Sequence, residues 1–259
     1  MTFFDSLGIA FGMFSRIPVP NGVYRNKKAM RYQLIAFPAV GIAIGLLWYL
    51  WFFLCNWLSF LAPFIGLGFV AIPVLVTGGF HLDGYADTVD AVSSYGPVEK
   101  KLDILKDPHV GSFAVIRLVL YFLGYYLLVT TLTLNWRDGI LVGLSFALSR
   151  ILSGLSVANF PMAKNTGLAH MFARTSDKRT VTTGLLIFGV VVLTGMFLCD
   201  YKGALAMLIA ALLVYWHYYS MSRKKFGGIT GDLSGWFLQK AEWWMMAALV
   251  LLQQVEAML

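Results

Sequence analysis

Asp83, Asp87 and Asp90 place three carboxylates within eight residues, directly after an apolar run long enough to cross a bilayer. They lie in the stretch Gly78-Gly79-Phe80-His81-Leu82-Asp83-Gly84-Tyr85-Ala86-Asp87-Thr88-Val89-Asp90. On a helix, spacings of four and three residues put side chains on one face. Three like charges on one face repel unless a cation lies between them. The pattern therefore predicts an all-oxygen site for a hard divalent metal at a membrane–water boundary. The competing reading is a solvated loop face, but exposed acids usually alternate with bases and these do not.

Three other polar segments share the chemistry that such a site needs. Residues 97–107 read as a short amphipathic helix, with Leu102 and Leu105 on one face and Asp103 and Asp107 four apart; Pro108 and Gly111 stop it. The segment Asn159 to Leu168 carries Lys164 and follows Arg150, which falls inside a predicted span. An arginine at a bilayer centre costs about 2.5–3.5 kcal/mol even on the lenient scale, so Arg150 is expected to face a polar cavity. Gly227-Gly228-Ile229-Thr230-Gly231-Asp232-Leu233-Ser234-Gly235 is a glycine-rich turn before a span. Backbone N–H groups in such a turn, with a helix N-terminus, can cradle phosphate. A fourth loop, Arg16 to Asn21, holds Pro18 and Pro20 and reads as an ordered turn. Clustered acids, a glycine-rich turn and scattered bases are the parts of Mg²⁺-dependent phosphoryl transfer. No GxxxxGK[ST] loop occurs, which excludes a Walker-type NTPase.

The elements that position these groups are membrane helices. Of 259 residues, 59% are apolar and 13% charged, against roughly 25% charged in a soluble domain. The fold class expected is an all-α polytopic bundle of one catalytic domain over 1–259. Seven transmembrane helices are predicted near 33–56, 61–80, 113–134, 139–160, 181–199, 203–221 and 236–257, each close to the ~20 residues that a bilayer core requires. Gly41 and Gly45 form a small-xxx-small pattern in the first. The second carries Pro63 and Pro73 and ends at Gly78-Gly79, so a kinked or re-entrant course is open. The apolar N-terminal stretch lacks the basic region of a cleavable signal peptide and reads as an interfacial helix.

Alternating sides along these spans gathers 17 of the 20 Lys and Arg residues, Lys27 among them, on one face, together with 10 of the 13 acids. The positive-inside rule makes that face cytoplasmic, with the N-terminus inside and the active-site loops cytoplasmic. Topology accounts for much of the net charge of +7, which removes the main support for nucleic-acid binding. Cys55 and Cys199 have no metal-ligand spacing and read as core or lipid-facing residues.

The chain resembles the cobalamin synthase (adenosylcobinamide-GDP ribazoletransferase) family nearly end to end. The likeness lies in Phe14-Ser15-Arg16-Ile17-Pro18-Val19-Pro20 and Phe37-Pro38-Ala39-Val40-Gly41. It is clearest in the Gly78 to Asp87 stretch and continues in Lys106-Asp107-Pro108-His109-Val110-Gly111-Ser112-Phe113 and Gly227-Gly228-Ile229-Thr230-Gly231-Asp232. Departures are Ala91 and Ala114 in place of glycines, Leu105 for a methionine and Lys164 for an arginine. Lys164 keeps the charge but loses the bidentate fork.

The resemblance implies a multi-pass enzyme of the bacterial cytoplasmic (inner) membrane, surrounded by membrane lipid, that joins adenosylcobinamide-GDP to α-ribazole or its 5′-phosphate and releases GMP with Mg²⁺. It implies Asp83, Asp87, Asp90 and Asp232 as metal ligands. It leaves Asp83, Asp87, His81 and Asp107 as candidates to take the hydroxyl proton. Lys106, Arg150, Lys164 and the turn residues Gly228, Thr230 and Gly231 are candidate phosphate partners. A homo-oligomer is allowed. A CDP-alcohol phosphotransferase places an Arg where this chain has Asp87, and its longer acid spacing fails here. A transporter would hold its ionisable groups near the midplane, often in two repeated halves; neither sign is visible.

Overall fold

The computed structural model describes residues 2–26 and 28–259; Lys27, counted above among the bases, lies outside them. Among the described residues there are eleven α-helices and no strands. They are α1 Thr2–Phe14, α2 Gln33–Trp57, α3 Ala62–Thr77, α4 Phe80–Ser93, α5 Val98–Ile104, α6 Ser112–Thr131, α7 Trp136–Asn159, α8 Leu168–Thr175, α9 Lys178–Cys199, α10 Tyr201–Phe226 and α11 Gly231–Met258. Two 3-10 turns, Asn21–Arg25 and Ala29–Tyr32, link α1 to α2.

Five helical segments are long and apolar enough to cross a membrane: Ala29–Trp57, Ser112–Thr131, Trp136–Asn159, Lys178–Cys199 and Tyr201–Phe226. The pair α3 and α4 makes a sixth if counted together, bent by 93°. The bend sits at Gly78 and Gly79, both in the left-handed region at φ 70° and 80°. Glycine reaches that region without steric penalty, so two in succession end one helix and redirect the next. Neither helix of this pair is long enough to pass as a span by itself, and together they make a broken or re-entrant one.

The seventh expected span, 236–257, differs from the expectation. It falls within a helix, α11, of ample length, but α11 is not among those apolar enough to cross alone. Gln239, Lys240 and Glu242 lower its apolarity, and most of its first twenty residues are buried against protein. A helix largely enclosed by its neighbours can carry such groups at less cost than one facing lipid throughout.

The bundle packs around α7, which is buried along most of its length. The α2–α7 contact uses the glycine pattern read from the sequence. A Cβ on Gly41 would strike the Phe146 backbone, and one on Gly45 would strike Gly143. Small residues let helix backbones approach closely where apolar burial gives no net drive in lipid. At the far end of α7, Asn135 and Asp138 form a reciprocal capping box. Midway along, Arg150 is fully buried and its Nη1 pairs with Glu242 of α11. The same nitrogen donates to Ser149 Oγ at 2.9 Å and to the Phe146 carbonyl at 3.1 Å.

Candidate active site

The polar loops converge at the end of the bundle where α4 crosses α11. The crossing is very close: a Cβ on Gly84 would lie 2.8 Å from Asp232 Cα, and one on Gly235 would lie 3.0 Å from the His81 carbonyl oxygen. The two glycines thus set the separation of the acid helix from the glycine-rich turn.

The turn itself is held on its other side. Ile229 N donates to the Pro161 carbonyl at 2.8 Å, and Ala163 N donates to the Ile229 carbonyl at 2.9 Å, a two-bond parallel bridge. Gly228 sits under it, where a Cβ would lie 2.5 Å from the Pro161 oxygen. Thr230 caps α11, its hydroxyl accepting from Leu233 N at 3.2 Å. Lys164, next in chain after the bridge, donates to the Leu102 carbonyl at 2.8 Å and so ties α5 to the same corner. Lys101 anchors α5 from behind by donating to the Ser94 carbonyl at 2.6 Å.

These contacts enclose a cavity of about 410 Å³. Asp83 and His81 line it from α4, Thr230, Gly231 and Asp232 from the start of α11, and Lys106 and Lys164 from the facing loops. Phe14, Phe37 and Phe172 form an apolar wall, so the cavity has one charged and one greasy side. Charge is mixed across it. Burial, then Lys106, lowers the Lys164 pKa, while Asp232 and Asp103 act in the opposite sense. Burial raises the Asp232 carboxyl. Burial, followed by the Asp83, Asp232 and Asp90 charges, raises Asp87 to about 6. His81 is almost completely buried, and burial, then the Arg150 charge, pushes its imidazole well below the usual range. It is therefore neutral, and its Nδ1 makes no hydrogen bond within the protein.

Several expected site residues are elsewhere. Asp90 points along α4 to the start of α6, where its two oxygens accept from Gly111 N at 2.7 Å and Ala114 N at 2.9 Å. It shares the helical spacing of Asp83 and Asp87 but is occupied as a cap for α6. Asp107 does not line the cavity; it is exposed and accepts from His109 N at 2.9 Å, with His109 Nδ1 at 2.7 Å. Those bonds lower its pKa. Arg150 does not reach the cavity, being paired with Glu242 one helical turn below Ser153 and Leu238 in its wall. Asp87 and Gly228 do not line the cavity. Sequence reasoning passed over His170, Thr166, Ser153 and Ser234, which do line the cavity. His170 carries the one available signal, as one of only four histidines in the chain.

The carboxylates suit a hard cation in kind, and the Asp87 pKa is raised first by burial and then by their mutual repulsion. They do not form a cage: among the described residues no three His, Cys, Asp or Glu side chains converge closely enough to hold a metal. A Mg²⁺ ion is commonly bound by only one or two carboxylates together with substrate phosphates. Asp83 and Asp232, facing each other across the α4–α11 crossing, match that smaller set.

A family model described as cobalamin-5-phosphate synthase matches residues 6–250. An adenosylcobinamide-GDP ribazoletransferase of Lachnoclostridium phytofermentans is 41% identical over 249 residues, covering 96% of this chain and 94% of that protein. Proteins of the same name from Clostridium perfringens and Escherichia coli are 31% and 32% identical, each over 91% of this chain. No solved structure matches the chain. The chain belongs to the cobalamin-5-phosphate synthase family.

Proposed function

We propose that this protein transfers the adenosylcobinamide phosphate moiety of adenosylcobinamide-GDP to α-ribazole or its 5′-phosphate, releasing GMP, as a Mg²⁺-dependent enzyme of the bacterial inner membrane with its N-terminus in the cytoplasm. The observation that carries the reading is the cavity, where two carboxylates face two lysines beside a glycine-rich helix start, in a chain whose relatives bear that activity in their names.

The parts then have distinct tasks. Asp83 and Asp232 would hold the metal, and Mg²⁺ would supply charge neutralisation for the diphosphate. Lys106 and Lys164 take the remaining phosphate charge, and Thr230 and Gly231 present the α11 N-terminus to it. A ribose hydroxyl of the ribazole attacks the phosphorus next to the corrinoid linker. The new P–O bond forms as the bond to GMP breaks, and GMP leaves with the electron pair. The hydroxyl proton passes to the α4 wall, where the Asp83 and Asp87 carboxylates are the acceptors in reach, since burial and the Arg150 charge both disfavour a second proton on His81. A cavity of about 410 Å³ suits one nucleoside with its diphosphate. The corrinoid ring therefore lies at the mouth, against the apolar wall.

The test is direct. Protein purified in detergent is given adenosylcobinamide-GDP, α-ribazole 5′-phosphate and Mg²⁺, and GMP is measured. Release that needs all three supports the reading; no GMP from intact substrates overturns it.

A further inference from the structure

The helix that lines the cavity has a second face. Tyr85, Val89 and Val92 recur at spacings of four and three, and they line a different cleft, of about 470 Å³, on the other side of α4. Its remaining walls carry Arg117 from α6, Lys224 and Lys225 from the last turn of α10, and Lys240 from α11. No carboxylate lines it, and none of these four cations is in an ion pair among the described residues. Four uncompensated cations around one concave space are costly unless an anion joins them.

The cleft opens into a groove of similar volume between α10 and α11. His217, Trp236 and Lys240 belong to both. Beyond them the groove is apolar and runs over Leu213, Val214, Trp244 and Leu251. Leu213, on α10, which is long and apolar enough to span a membrane, is 60% exposed, and Leu251 on α11 is 62% exposed. From Lys240 to Leu251 the groove follows eleven residues of helix, about 16 Å at 1.5 Å per residue. Lys240 also sits 5.7 Å over the Trp244 ring, at the junction of the cationic and apolar parts. Arg117 lies five residues into α6, and Lys224 and Lys225 close α10, which puts the charges at headgroup depth and the groove beneath them.

We propose that this cleft and groove form a binding site for one anionic phospholipid, its phosphate among Arg117, Lys224, Lys225 and Lys240 and an acyl chain along α10 and α11. A soluble phosphate ester would satisfy the cations but leave the groove uncovered; a zwitterionic lipid would cover the groove but bring its own cation to the cleft. Because Tyr85 and Val89 share α4 with Asp83, the lipid would brace the helix that carries the acid.

The test uses the full chain in mild detergent, with bound lipid counted by native mass spectrometry. Phosphatidylglycerol is expected to bind about tenfold more tightly than phosphatidylcholine of the same chains, given the attraction of each basic residue for an anionic surface. In Arg117→Gln/Lys224→Gln, which alters only exposed side chains, the two lipids should come within about twofold. Lys240→Gln should narrow the gap independently. Equal binding of both lipids to the unaltered protein overturns the proposal, as does a preference that survives in the double variant. Glycerol 3-phosphate is the third arm: if it competes as strongly as phosphatidylglycerol, the cleft takes a free phosphate ester and the lipid assignment fails.

Discussion

Two clusters of ionisable groups share α11 and behave as opposites. In the lower one, Arg150 of α7 and Glu242 of α11 are both buried, pair through Nη1, and share Ser149, whose hydroxyl lies 3.1 Å from Glu242 Oε1. In the upper one, Asp83, Asp87 and Asp232 approach one another without a matching set of cations, and Lys164 spends its proton on a backbone carbonyl. In the lower cluster the two charges offset each other through Nη1, while Arg150 Nε and Nη2 are buried without a hydrogen-bond partner, and the pair does not line the cavity. The upper one is open and unbalanced. A buried pair with its partner in place is a packing device between two helices; like charges held together against repulsion are poised for something that is not protein.

The largest effect expected is on the closed cluster. Arg150→Met strands the Glu242 carboxylate in the bundle core, and losing one partner of a buried pair costs about 3–5 kcal/mol. Denaturation in detergent should show that loss, while Arg150→Met/Glu242→Met recovers most of it because both charges are then gone. GMP release per folded molecule should stay near the unaltered value in the double variant. A single variant as stable as the unaltered protein would mean that the pair does not hold α7 to α11.

The open cluster should respond the other way round. Asp83→Asn and Asp232→Asn are expected to lower turnover by about 10²–10³-fold, the range seen when a preorganised electrostatic group is removed from a site. Thermal unfolding should show folded proteins no less stable than the unaltered chain, since each change relieves repulsion. Full activity in either variant would reduce the acid cluster to a solvated face of α4. A collapse of stability would put it in the same class as Arg150.

The difference between the clusters was only half legible in the sequence. The spacing of Asp83 and Asp87 gave the helix and its acidic face, and Gly78-Gly79 gave its starting break. The glycine-rich turn was readable because Gly228 and Thr230 follow local rules for close approach and capping. Arg150 was not readable in the same way. An arginine inside an apolar span signals a polar neighbour, but whether that neighbour is a ligand or a glutamate depends on Glu242, 92 residues later, facing it. Asp90 was illegible for a related reason: its spacing matches Asp83 and Asp87, while its carboxylate accepts from the backbone at the start of α6, 21 residues on. Local pattern specifies the face of a helix, and only tertiary packing specifies what that face meets. The eight-residue α8 and its His170 lay below what periodicity can detect in so short a helix.

The smallest effect is the most specific to the comparison, because it measures the imbalance itself. Asp87 is raised from 3.8 to about 6 by burial and then by the Asp83, Asp232 and Asp90 charges. Between those two values the folded chain holds a proton on Asp87 that the unfolded chain has released. Stability therefore falls as pH rises through that window, and the penalty is complete above about 6. Asp87 is partly exposed, so solvent screening makes the effect modest. Thermal unfolding without added divalent cation, followed from pH 4 to 7, should thus decline more steeply in the unaltered protein than in Asp87→Asn. The variant should also be the more stable of the two near pH 7. Parallel curves would mean that neither burial nor the neighbouring acids perturb Asp87. Added Mg²⁺ should flatten the unaltered curve and leave the closed Arg150–Glu242 cluster untouched, because only carboxylates without a resident partner gain from a cation.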